Sequence, residues 1–210
     1  NPKEDAMKTI LPLKQYCTKL LPLSWLLILG ITVKAQTVNV LSEGLKFINP
    51  QRQSGADLQE GATYLFTDVT TNVNAVLTID SLVNGARVTA IDDNSNGAGY
   101  RDAFQPSIQS GGIIGQSYAV FTIKFYHANT TNPAVLSNVN ATAVDLDGNN
   151  MLKEFVKINA GPGSILNYLT TSIDISVVQL PTGEFIGQNI LGVERNGIDT
   201  ANFSNMFTYS

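Results

Sequence analysis

One cysteine, one tryptophan and one histidine in 210 residues rule out several kinds of chemistry at once. Cys17 and Trp25 both fall within the first 35 residues, so the remainder of the chain can form no disulfide and has no indole to stack on a sugar ring. Zinc sites built from Cys and His at the usual spacing cannot be assembled from what is left. His127 stands beside the turn sequence Ala128-Asn129-Thr130-Thr131-Asn132-Pro133, and no Gly-x-Ser-x-Gly elbow accompanies it. It reads as a solvated residue at a strand end rather than as part of a triad. Positive charge is also scarce, with 13 Lys and Arg against 17 Asp and Glu.

The first 35 residues differ in kind from the rest. From Met7 the chain carries Lys8, Lys14 and Lys19 without an acid, then runs apolar from Leu20 to Val33 and ends Val33-Lys34-Ala35. A basic head, a short apolar centre and small or apolar residues before the cut make a secretory signal peptide over residues 7–35, cleaved before Gln36. A membrane anchor needs about 20 apolar residues, and Lys34 closes the run too early. Residues 1–6 read as upstream read-through or a cloning remnant. Cys17 precedes the apolar run, so no lipid-accepting cysteine follows the cut.

Removing residues 1–35 takes five bases and two acids, and leaves a net charge of −7 on about 175 residues. An acidic surface repels phosphate backbones, which excludes nucleic acid as an expected partner. A chain of this size can bury roughly 70% of its unfolded surface, so it needs no disulfide to hold a core. The expectation is a secreted or outer-cell-surface protein whose mature chain has no transmembrane segment.

From Gln36 onward the hydrophobic period is two. Ala62–Val69, Asn74–Val83, Ala86–Asp92, Ser117–His127, Ser137–Asp147, Met151–Ile158, Ile173–Leu180 and Asn189–Asn196 are predicted strands, rich in Val, Ile, Thr, Phe and Tyr. In the fourth, Phe121, Ile123 and Phe125 face the core. Asn-Gly, Gly-Gly, Asn-Pro and Pro-x-Gly turns separate the strands. One helical turn is expected over Ser164–Leu169. The pattern predicts an all-β fold: a single antiparallel β-sandwich over 36–210, jelly-roll or immunoglobulin-like. The closing Asn205-Met206-Phe207-Thr208-Tyr209-Ser210 reads as a short strand or as the approach to one, and a truncated C-terminus is the expectation.

Candidate sites centre on Thr142–Phe155, which contains Asp145-Leu146-Asp147-Gly148-Asn149-Asn150. A helix-loop-helix calcium loop is excluded, because the sixth position from Asp145 is Asn150 rather than Gly and the twelfth is Val156 rather than Glu. A hairpin remains, with Gly148, Asn149 and Asn150 at its turn and Asp145 and Asp147 on one face about 7 Å apart. A second acidic cluster holds Asp92, Asp93, Asn94, Asn96 and Asp102. If both clusters meet at one rim, Asp145, Asp147, Asp92 and Asp93 can ligate calcium; otherwise they make turns. No cofactor other than Ca2+ is suggested. Glu154, Glu184 and Glu194 share no motif, so no acid and nucleophile can be chosen for a carboxylate-pair hydrolase. Tyr64, Tyr100, Tyr118, Tyr126 and Tyr168 can either stack on sugars or pack in the core.

The order of several elements resembles an N-terminal module of large surface proteins of Bacteroidetes-type bacteria such as flavobacteria. They are Phe66–Val69, Val73–Ile79, Ile91–Asp93, Ala103–Pro106, Val144–Gly148 and Glu154–Phe155. The resemblance implies a non-catalytic β-sandwich, structural or adhesive, whose partners are surface glycans or other surface proteins. The alternative is a glycan-binding module attached to a larger secreted enzyme. Asp80-Ser81-Leu82 and Asp199-Thr200-Ala201 resemble the O-glycan acceptor of these bacteria.

Overall fold

A computed structural model describes residues 36–39, 44–93, 95, 101–137, 139–159, 161, 163–194, 197–198 and 202–210. The leader expected over 7–35 therefore lies outside the described residues. Contacts divide the chain into Asn1–Val33 and Lys34–Ser210, and the described residues all lie in the second unit.

The regular structure of the described chain is almost entirely β, with a 3-10 turn at Phe203–Asn205 and no α-helix among the described residues. Its largest sheet is antiparallel and ordered β2-β3-β4-β7: Gln51–Ser54, Thr63–Thr70, Val73–Val83 and Tyr118–His127. β4 shows why period two makes a strand. Val73, Ala75, Leu77 and Ile79 are fully buried, while the residues between them stay partly exposed. In β3 the buried positions run Tyr64, Phe66, then Val69, a slip of one residue. Asp68 takes up the slip at φ 49°, with its N–H donated to Asn74 Oδ1 at 2.9 Å.

β5 (Arg87–Ala90) pairs antiparallel with β6 (Ser107–Gln109). β1 (Gln36–Asn39) and β8 (Ala134–Ser137) pair in parallel, an exception to the antiparallel expectation. The remaining strands form two antiparallel three-stranded sheets. One is ordered β10-β13-β12: Phe155–Ile158, Phe185–Asn189 and Ile175–Gln179. The other is β11-β14-β9: Leu166–Tyr168, Phe207–Tyr209 and Ala141–Ala143. This all-β, antiparallel arrangement is compatible with a β-sandwich.

The interior forms two hydrophobic clusters. The first gathers Phe66, Val69, Val73, Leu77 and Ile79 with Phe47, Val88 and Ile91. Phe47, Phe66, Phe104 and Phe121 form a chain of rings with centroids 5.4–5.8 Å apart. Phe121, Ile123 and Phe125 pack against this cluster, on the face expected for them, but stay partly exposed because β7 is an edge strand. The second cluster has only Leu146, Ile175, Phe185 and Phe207 as buried members.

Three sequence expectations need correcting. Ser164–Leu169 contains strand β11, not a helical turn, because Leu166–Tyr168 pairs with β14. The strand expected at Asn189–Asn196 lies earlier, at Phe185–Asn189. There Phe185, Gly187 and Asn189 form the buried face, and a glycine and an asparagine hide the alternation. The chain leaves the strand before Gly192, which adopts φ 71°. Finally, Thr142–Asp147 and Met151–Ile158 do not pair along their length. β9 pairs with β14 and β10 with β13, leaving only a bridge between Gly148 and Lys153.

Candidate functional site

The segment between β9 and β10 is a looped excursion held by three local devices. Asp145 adopts φ 60°, which turns the chain out of the β9 ladder. Leu146 then buries its side chain in the second cluster, and its N–H donates to the Asn205 carbonyl at 2.9 Å. Beyond it, Asn149 N–H donates to Leu152 O at 2.6 Å and Glu154 N–H to Asp147 O at 2.9 Å. Asn149 Oδ1 accepts from both Met151 N–H and Leu152 N–H at 2.9 Å, a side-chain-made turn. A turn does form here, but over residues 149–152, with Gly148 already in the bridge to Lys153. The strand alternation meant to align Asp145 with Asp147 does not hold, because left-handed backbone at Asp145 interrupts it.

Two buried asparagines tie this loop to its surroundings. Asn189, 1% exposed, donates from Nδ2 to Leu146 O and Asp174 O at 3.3 and 3.2 Å. Its Oδ1 accepts from Gly192 N–H at 2.8 Å. Asn205, also 1% exposed, donates from Nδ2 to Asp145 Oδ1 at 3.3 Å, and its own Oδ1 is buried with no hydrogen-bond partner. No sequence signal marked either residue, since Asn in a β protein reads first as a turn former.

Four carboxylates surround the loop. Glu154 is pushed up to about 7 by burial first, then by Asp147, with further repulsion from Asp145 and Glu194. The residue keeps an exposed face, so water screens part of this repulsion. Burial and then Asp147 also raise Asp145, against the lowering effect of the Asn205 hydrogen bond. Glu154 and Glu194, unrelated in sequence, thus join Asp145 and Asp147 in one electrostatic group. Among the described residues, no three His, Cys, Asp or Glu side chains stand together as a metal site.

Neither Asp92 nor Asp93 is among the charges acting on Asp145 or Glu154. They follow β5 and Ile91, which packs in the first cluster. Asp93 makes a turn: its Oδ1 accepts Ser95 N–H at 3.0 Å, and hydrogen bonding from Ser95 holds its carboxyl below the usual range. Asn94 and Asn96 lie outside the described residues.

The other candidates divide similarly. His127 ends β7, but its Nε2 is buried without a hydrogen-bond partner, so it is not the fully solvated residue expected. Tyr64 is buried with its hydroxyl donating to Asp57 Oδ1 at 2.8 Å, and Tyr118 stacks edge-on against Phe155. Tyr168 is 39% exposed, and no row of exposed tyrosines forms among the described residues; Tyr100 lies outside them. Ser81 sits at a bulge of β4 beside Leu82, whose N–H donates to Glu60 Oε1 at 2.6 Å. Asp199-Thr200-Ala201 lies outside the described residues. One open depression of about 380 Å³ is lined by Lys46, Asp68, Thr70, Thr71 and Asn72, away from the four carboxylates. Comparison with profiles of known families, with curated proteins and with solved structures yields no match.

Proposed function

We propose that the chain is a non-catalytic structural or adhesive module of an exported bacterial cell-surface protein. The observation that carries this reading is a basic-then-apolar leader over residues 7–35 joined to a cysteine-free, all-β antiparallel unit. The carboxylates of the acidic group surround a turn, and the depression lined by Lys46, Asp68, Thr70, Thr71 and Asn72 lies elsewhere. The glycan-binding alternative needs an aromatic row, and Tyr168 alone does not supply one.

The test is export and display. The full chain fused to a reporter is expressed in a flavobacterial host, and the product outside the cytoplasm is sequenced from its N-terminus. A start at Gln36 on surface-exposed protein, with binding of the displayed chain to host cells or to neighbouring bacteria, supports the reading. Retention in the cytoplasm overturns it.

A further inference from the structure

We propose that the free edge of β12, Ile175–Gln179, pairs antiparallel with the same strand of a second copy of this chain, so that the two copies share one six-stranded sheet. The inference goes beyond the reading of the chain as an exported module and does not depend on it.

An edge strand presents a row of unpaired backbone groups, and proteins guard such rows with charge, proline, bulges or short length. Two edge strands here are longer than four residues, β7 and β12. β7 is guarded: it carries exposed Lys124, and Tyr126 is bridged to Pro133. Among the shorter edges, β2 has Arg52 and a bulge, and β10 has Lys157. β12 reads Ile-Ser-Val-Val-Gln, without charge, proline or bulge, and pairs only with β13 among the described residues.

The ladder fixes which of its backbone groups face the free side. Ile190 N–H donates to Asp174 O at 2.8 Å, and Leu180 N–H to Glu184 O at 2.7 Å. Residues 174, 176, 178 and 180 therefore turn their backbone groups to β13, while Ile175, Val177 and Gln179 turn theirs away. Ser172 Oγ accepts the Ile175 N–H at 3.4 Å; among the described residues no backbone group bonds to Val177 or Gln179 from that side.

This row is its own complement. A two-fold axis at Val177 sets that residue opposite its own copy, and Ile175 opposite Gln179, with outward backbone groups on both strands. Val178, 50% exposed, then stands beside Ser176 of the second copy, and Ile173, 71% exposed, comes level with Pro181. Val177 packs against the second cluster, so the pairing extends the smaller of the two cores across the axis. An acidic chain repels its copy, but this seam is neutral. No charge lies between Asp174, which is buried, and Glu184, which Lys157 pairs at 2.9 Å. The pairing closes on itself as a dimer, and Lys157 guards the opposite edge of the shared sheet. So short a seam falls below the roughly 1,000 Å² of a stable interface, which makes the dimer weak and concentration-dependent.

Sedimentation velocity of the full chain through the micromolar range is the test. The expected result is a shift from one chain to two, with no larger species. Val177→Pro removes an outward N–H without touching the β13 ladder, and should weaken dimerisation at least about tenfold. Val178→Lys places a guarding charge at a half-exposed position and should have the same effect, which covers a proline variant that folds poorly. Ile114→Ser, at a fully exposed apolar site elsewhere, should change nothing. With Cys17→Ser in place, Val177→Cys puts two cysteines opposite each other at a Cα separation of about 5.5 Å, so mild oxidation should give a covalent dimer. Val178→Cys, which is not opposite its own copy, should not cross-link. A monomer at every concentration overturns the proposal and leaves the edge to a strand of another protein. Open-ended assemblies, dimers that Val177→Pro and Val178→Lys both leave intact, or cross-linking at Val178→Cys but not at Val177→Cys overturn it as well.

Discussion

Buried polar side chains, rather than exposed acids, hold the β9–β10 loop in place. Asn189, itself 1% exposed, satisfies Leu146 O and Gly192 N–H from one side chain. Asn189→Leu keeps the volume but strands both groups, and should cost about 2–4 kcal/mol in a urea unfolding curve. Gly187 is the converse case. A Cβ there would run into the ring of Phe207, so the glycine serves close packing rather than a turn. Gly187→Ala should destabilise by about 1–3 kcal/mol, and trimming the ring in the double variant with Phe207→Leu should recover part of that loss. Hydrophobic periodicity could not find either residue, because glycine and asparagine register as breaks in a strand even when they form its buried face.

At the scale of elements, the loop between β9 and β10 carries a pH dependence. Glu154 is held near 7 in the folded protein by burial and by Asp147, against about 4.5 when unfolded. The folded state therefore binds the proton more tightly. The stabilisation this gives is complete below about 4.5 and is lost as pH rises through about 7. Asp145, also raised, acts in the same direction. Glu154→Gln should raise the Tm at pH 8 and change it little at pH 4, and thermal unfolding across that range reads the difference. An equal effect at both pH values would assign the gain to packing. The carboxyl group was visible in the sequence, but the charges acting on it were not, since Glu194 lies forty residues away and arrives in the segment that follows β13.

For the whole molecule, the division of the interior matters most. Among the described residues the first cluster has twelve buried members, seven of them on β3 and β4, whereas the second has four. Leu77→Ala and Phe66→Ala should each cost about 2–5 kcal/mol, because cavities in the larger cluster cannot collapse easily. Amide hydrogen exchange should be slowest in β3 and β4 and faster in β9–β14, where few buried contacts oppose local opening. Equal protection across both regions would show that the clusters open as one unit.

The sequence by itself determined the all-β class, the longest strands and the face of β7 turned inward, because those depend on a local period of two and on turn residues. It also placed Asp145 and Asp147 beside an Asn-rich turn. Only the tertiary structure decided which strands pair, and that Glu154, Glu194, Asn189 and Asn205 belong with that loop. Those are contacts between residues distant in the chain. They depend on register, burial and the direction in which one left-handed residue turns the backbone, and none of these leaves a local mark in the sequence.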